Sequence, residues 1–369
     1  LTRVQSQDVA DILAAMFGTP DEPFLPGGTD TGIEDLIRLD NLQLAAGKVE
    51  STAEGSRGLY RQHCVHCHGT SGDGHGPTAP FLNPYPRDYR RGTYKFKSTP
   101  IGIRPTHDDL KRILKNGIAG TAMPSFHLLP DLEIEALVDY VKYLSIRGEV
   151  ERRLWQELAM ELDEGDRLVT DDLGDLKEFL IDDVLAEVVG KWKNAEAGIT
   201  PVPKRFSAND EEMLVSIRKG KELYYGAVAN CVKCHGESQL GDGQTTDYDD
   251  WTKEFYDWAK PKGTKEYREA YAEYVGLTHM APRNILPRNL RQGVYRGGRR
   301  PVDLYWRIHN GIEGGPMPAA SMLPEGAEPG TPGLTEEDIW HLVNYVMSLS
   351  YESTSSHGAH EPVYSRPRM

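Results

Sequence analysis

The chain has 369 residues, of which 38% are hydrophobic and 27% are charged, and its formal net charge is −14. A length of this order indicates two or three domains. The acidity is concentrated in residues 149–190, where 14 Asp/Glu stand against 4 Arg/Lys for a net charge of −10. Because nucleic-acid binding requires a basic stripe, this distribution argues against a nucleic-acid partner.

The beginning of the chain is predicted to be an N-terminal helical arm, residues 1–50. A short amphipathic helix is expected over 6–17 with Ser6 as its N-cap, and its apolar stripe consists of Val9, Ile12, Leu13, Met16 and Phe17. Packing on a neighbouring domain is favoured for this stripe over docking to another subunit. Since the sequence starts at Leu1 and has no apolar run of about 18 residues, it resembles a processed mature form, and an upstream signal or anchor stays open.

The rest of the chain contains an internal repeat. "RGLYRQHCVHCHG" at 57–69 returns as "KELYYGAVANCVKCHG" at 221–236, and "PRDYRRGTYK" at 86–95 returns as "PRNLRQGVYR" at 287–296. The two cysteine pairs are 167 positions apart, whereas the segments that begin at Pro86 and Pro287 are 201 positions apart. The second copy therefore carries 34 extra residues between its cysteine pair and Pro287. They roughly coincide with 245–280, a polar and aromatic stretch predicted to form one or two helices with a break at Pro261 and Gly263.

The repeat continues to the end of each copy. "HDDLKRILKNGIAGTAMPSF" matches "PVDLYWRIHNGIEGGPMPAA", and "EIEALVDYVKYLS" matches "EDIWHLVNYVMSLS", the last pair with apolar residues at helical spacing. We therefore expect a first domain at 51–148, an acidic helical linker at 149–206, a second domain at 207–350 and a polar tail at 351–369.

The four cysteines, Cys64, Cys67, Cys231 and Cys234, form two Cys-x-x-Cys pairs, each followed at once by a histidine. A Cys-x-x-Cys-His run is typical of covalent haem c attachment. A redox dithiol needs a βαβ setting, which is missing here. A four-cysteine zinc site would join pairs 167 residues apart and would leave the histidines unexplained. Both alternatives are therefore disfavoured, and two covalently attached haem c groups with their irons are predicted.

On these motifs, the segments at about 55–145 and 215–350 resemble class I cytochrome c domains. The resemblance implies an all-α fold of two such domains, joined by the acidic linker and preceded by the helical arm. It also implies that His68 and His235 are the proximal iron ligands. For the opposite side of each haem it points to "AMPSF" and "PMPAA", that is, to Met123 and Met317.

Rival iron ligands exist near both sites. His63, His66 and His75 surround the first attachment motif, although His66 lies inside it, where the backbone direction opposes reach to the far face of a haem. His279 and Met280 stand at the end of the insertion and are rival ligands for the second site.

The basic aromatic repeat supplies candidate partners for the haem propionates. They are Arg87, Arg90 and Tyr94 in the first copy, in register with Arg288, Arg291 and Tyr295 in the second. Arginine and the tyrosine hydroxyl are suitable donors to a carboxylate. A solvated basic loop is the competing interpretation.

The predicted function is that of a di-haem c-type cytochrome, which carries single electrons between redox partners of an extracytoplasmic respiratory chain. The expected donor is a quinol-oxidising complex or a dehydrogenase, and the expected acceptor is an oxidase or reductase. The location is periplasmic or otherwise extracytoplasmic, either free or as a subunit of a membrane-bound complex, with membrane association through a partner or a missing anchor left open. The alternative is an enzyme resembling di-haem cytochrome c peroxidases, in which one iron lacks methionine; two matching methionines argue against it, whereas the insertion keeps it open.

Overall fold

The computed structural model describes residues 2–26, 31–47, 58–161, 163, 166–169, 173–205, 209–249, 264–269 and 280–351. These residues form helices, turns and three isolated β-bridges, with no extended strand among them, and the all-α prediction is confirmed. Within these ranges, the helices are all too short or too polar to cross a membrane. The chain divides into two compact units.

The helices follow one another along the described chain as α1 Arg3–Phe17, α2 Leu39–Ala45, α3 Leu59–His63, α4 Val65–His68, α5 His107–Asn116, α6 Asp131–Glu161, α7 Leu173–Glu178, α8 Ala186–Lys193, α9 Asp210–Tyr225, α10 Val232–His235, α11 Pro301–Asn310 and α12 Glu336–Ser348. A π-helical segment, Phe179–Leu185, connects α7 to α8. Residues 265–269 are also helical.

The first unit is built around α6. It comprises Leu1–Tyr94, Gly102–Gly117 and Ala122–Ile199, and α1, α2, α3 and α5 all pack against α6. The apolar stripe predicted for the N-terminal arm is buried in the core of this unit. The arm therefore packs on α6, and the two belong to one unit.

The start of α1 differs from the prediction. The helix begins at Arg3 rather than Ser6, because Thr2 and Gln5 form a capping box in which each side chain accepts a hydrogen bond from the other's backbone amide. Ser6 lies in the first turn, where its hydroxyl donates to the Thr2 carbonyl at 3.1 Å. The reciprocal cap satisfies two free amides at once, which explains why it sets the helix start in preference to Ser6.

The acidic segment after the first repeat also belongs to the first unit. The 31-residue α6 continues through position 148, where the sequence predicted a domain boundary. The π-helical segment and α8 then return to the core and bury Val184, Leu185, Val188, Val189 and Trp192. In the π-helical segment and α8, the acidic side chains of Asp182, Asp183 and Glu187 stay exposed on the opposite face.

The second unit comprises Lys95–Ile101, Ile118–Thr121 and Thr200–Met369. Here α9 crosses α12, and α11 packs on α12. The crossing is close at Gly220, where an added Cβ would lie 2.0 Å from the His341 carbonyl oxygen. Of the predicted insertion at 245–280, residues 250–263 and 270–279 lie outside the described residues, as does the tail beyond position 351.

Candidate haem sites

Each Cys-x-x-Cys-His motif lies on a short helix that starts directly after its first cysteine. These helices are α4 and α10, and each ends on the histidine, followed by a glycine with positive φ, +74° at Gly69 and +79° at Gly236. None of the four cysteines is joined in a disulfide. Among the described residues, no group of three or more His, Cys, Asp or Glu side chains is arranged to hold a metal ion.

The two motif histidines make the same hydrogen bond. Nδ1–H of His68 donates to the Arg87 carbonyl oxygen at 3.1 Å, and Nδ1–H of His235 donates to the Arg288 carbonyl oxygen at 3.1 Å. Because a carbonyl only accepts, this bond places the ring proton on Nδ1 and leaves the lone pair on Nε2. Each imidazole is therefore held in the tautomer that can ligate a metal through Nε2.

Burial keeps both rings neutral. It lowers the pKa of His68 to about 4 and also lowers the pKa of His235, because desolvation penalises the imidazolium. The backbone hydrogen bond to Arg87 or Arg288 opposes this shift without overcoming it. At neutral pH both histidines are therefore in the form that a metal requires.

A tyrosine holds each motif helix against the closing helix of its unit. The Tyr60 hydroxyl donates to the Gly69 carbonyl oxygen, and the Tyr224 hydroxyl donates to the Gly236 carbonyl oxygen, both at 2.9 Å. Their rings pack on Tyr140 of α6 and on Tyr345 of α12, with centroids 4.9 and 5.4 Å apart. The Leu-Tyr pair that precedes each motif in the sequence thus serves to position it.

The Met123 loop is folded back onto α5. Gly117 ends that helix at φ +64°, and an added Cβ would lie 2.6 Å from the Pro124 carbonyl carbon. The Phe126 amide donates to the Leu114 carbonyl oxygen at 3.0 Å. Met123 is half-buried and packs against the core of the first unit.

The Met317 loop repeats this arrangement after α11. Gly311 has φ +72°, and an added Cβ would lie 2.5 Å from the Ala319 nitrogen. The Ala320 amide donates to the Ile308 carbonyl oxygen at 3.1 Å, and Met317 is half-buried. The two methionines therefore occupy equivalent places in their own units.

The rival ligands of the first site have other contacts. His63 makes an edge contact with Phe126, with ring centroids 5.7 Å apart, and burial lowers its pKa. The exposed His75 donates from Nδ1 to the Asp73 carbonyl oxygen at 2.9 Å, and His66 is also exposed. In the second unit Met280 is half-buried, and His279 lies outside the described residues.

In the first unit, the predicted propionate partners brace the loop beside His68. Arg87 provides the carbonyl that binds the imidazole. The Arg90 guanidinium donates to both carboxylate oxygens of Asp88, at 3.0 and 3.1 Å. The Tyr94 hydroxyl donates to Ser145 Oγ at 2.6 Å, because the Ser145 hydroxyl itself donates to the Val141 carbonyl oxygen of α6.

The second unit uses the equivalent residues in a similar way. Arg288 Nε donates to the Val294 carbonyl oxygen at 2.8 Å, and the Tyr295 hydroxyl donates to the Val346 carbonyl oxygen at 2.9 Å. Arg291 donates from Nη2 to Gln239 Oε1 at 2.7 Å. These bonds hold the loop that presents the Arg288 carbonyl, and a role in binding propionates stays a prediction for all six side chains.

Comparison with known families decides between the interpretations of the motif. The model of subunit III of cbb3-type cytochrome c oxidases matches residues 51–141, and the cytochrome c model matches residues 217–350. The chain is a di-haem cytochrome c. Each cytochrome c domain carries one covalently bound haem c, which confirms the predicted pair of haem groups with their irons.

A solved chain of the reducing HAO-like protein complex of Kuenenia stuttgartiensis also resembles this cytochrome. The two are 23% identical, the match covers 82% of this chain and 98% of that one, and the TM-score is 0.49. No match was found among the curated proteins.

The residues at both motifs of the cytochrome fit the haem c group. Each site offers two unpaired thiols for the thioether bonds and one neutral imidazole whose Nε2 lone pair is available to iron. Burial raises the pKa of Cys64 to about 12 and that of Cys231 to about 11. In this structure burial therefore favours the uncharged thiol form of both cysteines.

Proposed function

We propose that this cytochrome passes single electrons between redox partners, with His68 and Met123 on the first iron and His235 and Met317 on the second. The observation that carries the proposal is the repeated arrangement in both units. In each, a neutral imidazole is oriented by a backbone carbonyl, and a Met-Pro loop is folded back at a glycine with positive φ. Two equivalent sites favour the same ligand pair at both.

A His/Met pair suits electron transfer. A covalently bound haem c supplies an iron that changes by one electron between the ferrous and ferric states. Methionine raises the reduction potential relative to histidine, and six ligands leave no position for a substrate. Such a site exchanges electrons with a partner protein and does little other chemistry.

The proposed setting is an extracytoplasmic respiratory chain, in the periplasm or an equivalent compartment. A quinol-oxidising complex or a dehydrogenase would donate electrons, and an oxidase or reductase would accept them. The match of residues 51–141 to subunit III of cbb3-type oxidases supports a role beside or within a membrane-bound complex. The covalent haem attachment supports the extracytoplasmic location.

Low-temperature EPR of the fully oxidised holoprotein, together with a quantified haem-to-protein ratio, tests the ligand assignment. Two low-spin His/Met signals at two haems per chain are expected. A high-spin or bis-histidine signal at one haem would instead support a peroxidase-like enzyme. Reduction of hydrogen peroxide by the half-reduced protein would then be the activity to measure.

Methionine variants assign each signal. Met123→Ala should remove one His/Met signal and Met317→Ala the other, with both haems still attached through their cysteines. Met280→Ala is the matched control, since Met280 is also half-buried in the second unit but lies outside the Met-Pro loop. Loss of a signal in Met280→Ala and not in Met317→Ala would overturn the assignment of Met317.

A further inference from the structure

The ring of Tyr89 covers one face of the His68 imidazole. The two centroids are 4.7 Å apart and the planes differ by 18°, which is a stacked arrangement. Tyr94 continues the stack behind Tyr89 at 6.2 Å and 10°. The Tyr89 backbone is fixed as well, because its amide donates to the Gly72 carbonyl oxygen at 2.7 Å.

The second unit has the same backbone arrangement with a different side chain. Leu290 stands in register with Tyr89, and its amide donates to the Gln239 carbonyl oxygen at 2.9 Å. Each loop is capped by the preceding side chain, Asp88 or Asn289, which accepts a backbone hydrogen bond at 3.0 Å. The loops are therefore equivalent, and only the first site has an aromatic ring at this position.

The stack depends on a glycine. An added Cβ at Gly72 would lie 2.7 Å from Cδ2 of Tyr89, and Gly72 has φ +77°. The equivalent residue in the second unit is Gln239, also at positive φ, +59°, where its side chain accepts the Arg291 bond and donates to the Tyr225 hydroxyl at 2.6 Å. Tyr89 with Gly72 and Leu290 with Gln239 are thus two matched pairs.

We propose that Tyr89 is a positioning residue that fixes the plane of the His68 ring and lowers the reduction potential of the first haem. The proposal rests on His68 as an iron ligand. An imidazole on ferric iron shares its positive charge, and the negative face of a stacked aromatic ring stabilises that charge. Tyr89 therefore favours the ferric state.

Simple burial does not account for this difference between the sites. Tyr89 is 6% exposed and Leu290 is 7% exposed, so both exclude water from their side of the loop to the same extent. Leucine lacks a π face and cannot interact with the charge of the imidazole in this way. Replacing Tyr89 by another apolar side chain is therefore expected to change the reduction potential of the first haem. A similar replacement of Leu290 is not expected to change that of the second.

The proposal is tested by a redox titration of the holoprotein in which an EPR spectrum is recorded at each applied potential. Tyr89→Leu keeps an apolar cover and removes the ring, so the ferric-to-ferrous ratio of one haem should fall about three- to tenfold at a fixed potential. This corresponds to a rise of about 30 to 60 mV for a one-electron couple at 59 mV per tenfold. The g values of the same haem should change as its imidazole plane is released, and the other haem should keep its potential.

The control and the reciprocal change use the matched pairs. Tyr89→Phe keeps the aromatic ring and should leave the reduction potential of the first haem unchanged. Leu290→Tyr combined with Gln239→Gly should introduce the stack at the second site and lower the potential of that haem. The haem that responds to Tyr89→Leu must also be the one whose signal Met123→Ala removes.

Unchanged potentials and g values in Tyr89→Leu with two haems bound would overturn the proposal. If Tyr89→Leu fails to retain the first haem, the test is the variant that combines Leu290→Tyr with Gln239→Gly. An unchanged reduction potential of the second haem in that variant would equally overturn the proposal. Failure of the ligand assignment itself is seen separately, since the unaltered protein would then lack two His/Met signals before any substitution is made.

Discussion

Gly220→Ala tests the close helix crossing in the second unit. The added Cβ would lie 2.0 Å from the His341 carbonyl oxygen and 2.8 Å from Tyr345 Cβ, well inside normal contact. Because the nearest atom belongs to the backbone of α12, no rotamer change relieves the overlap, and α9 must move away. Because the contact is with backbone, we take the upper end of the usual cost of overpacking, about 3 kcal/mol. Alanine returns about 1 kcal/mol through its helix propensity, so the net loss should be about 2 kcal/mol.

Guanidinium unfolding of the ferric holoprotein, followed by helical circular dichroism and Soret absorbance, measures this loss. A change of about 2 kcal/mol lowers the midpoint by roughly 0.5 M for an m-value near 4 kcal/mol/M. Gly190→Ala is the matched control, since Gly190 also lies within a helix, α8, and an added Cβ there meets nothing within 4 Å. That variant should be more stable by up to about 1 kcal/mol.

The reasoning would be refuted if Gly220→Ala unfolded at the same midpoint as the unaltered protein or at a higher one. An equal loss in both variants would also count against it, because the difference between them is expected to arise from the contacts of the added Cβ with His341 and Tyr345. The two results together separate helix propensity from packing at the crossing.

Two further predictions concern the first unit. Arg167 donates a hydrogen bond to the buried Asp8 carboxylate, and this bond is the main cause of the lowered pKa of Asp8. The bond therefore contributes its full stabilisation of the fold above the ordinary pKa of 3.8, and this stabilisation is lost as the pH falls through the lowered pKa. Asp8→Asn should cost about 1 kcal/mol, since the Arg167 end is largely exposed, and should speed amide exchange in α1; unchanged exchange would contradict the anchoring role. Gly117→Ala should displace the Met123 loop and remove one His/Met EPR signal, whereas Gly102→Ala, also at positive φ but with nothing within 4 Å, should keep both signals. Retention of both signals in Gly117→Ala would contradict this prediction, because it would mean that the Met123 loop keeps its position despite the added Cβ.

Local patterns predicted the helical framework well, and the continuation of α6 shows where they stop. The apolar spacing of 133–145 and 337–350 indicated the closing helices, which the structure contains as parts of α6 and α12. The predicted domain boundary at position 148 falls inside α6, and Gly148 is required there because an added Cβ would lie 2.4 Å from Arg90 Cβ. That glycine accommodates a neighbouring loop, and a contact between distant residues leaves no local signal.

The haem attachment residues were predictable because their chemistry requires adjacent positions. Cys64, Cys67 and His68 must lie on one helical turn to serve a single haem, so the spacing alone identifies them. The stack of Tyr89 was missed, since it is revealed only by the packing of its ring on His68. The available sequence signal was the exchange of Tyr89 for Leu290 at equivalent positions of the two repeats.

The orientation of each proximal imidazole depends on a main-chain atom, and this makes it tolerant of mutation. The acceptors are the carbonyl oxygens of Arg87 and Arg288, which every amino acid would supply equally. Substitution of either side chain can alter the surface and charge beside the haem without deleting the orienting bond. Substitution at position 87 or 288 therefore changes the charge beside the motif histidine while a carbonyl acceptor for its Nδ1–H remains. At position 288 it also removes the side-chain bond to Val294 that braces the loop.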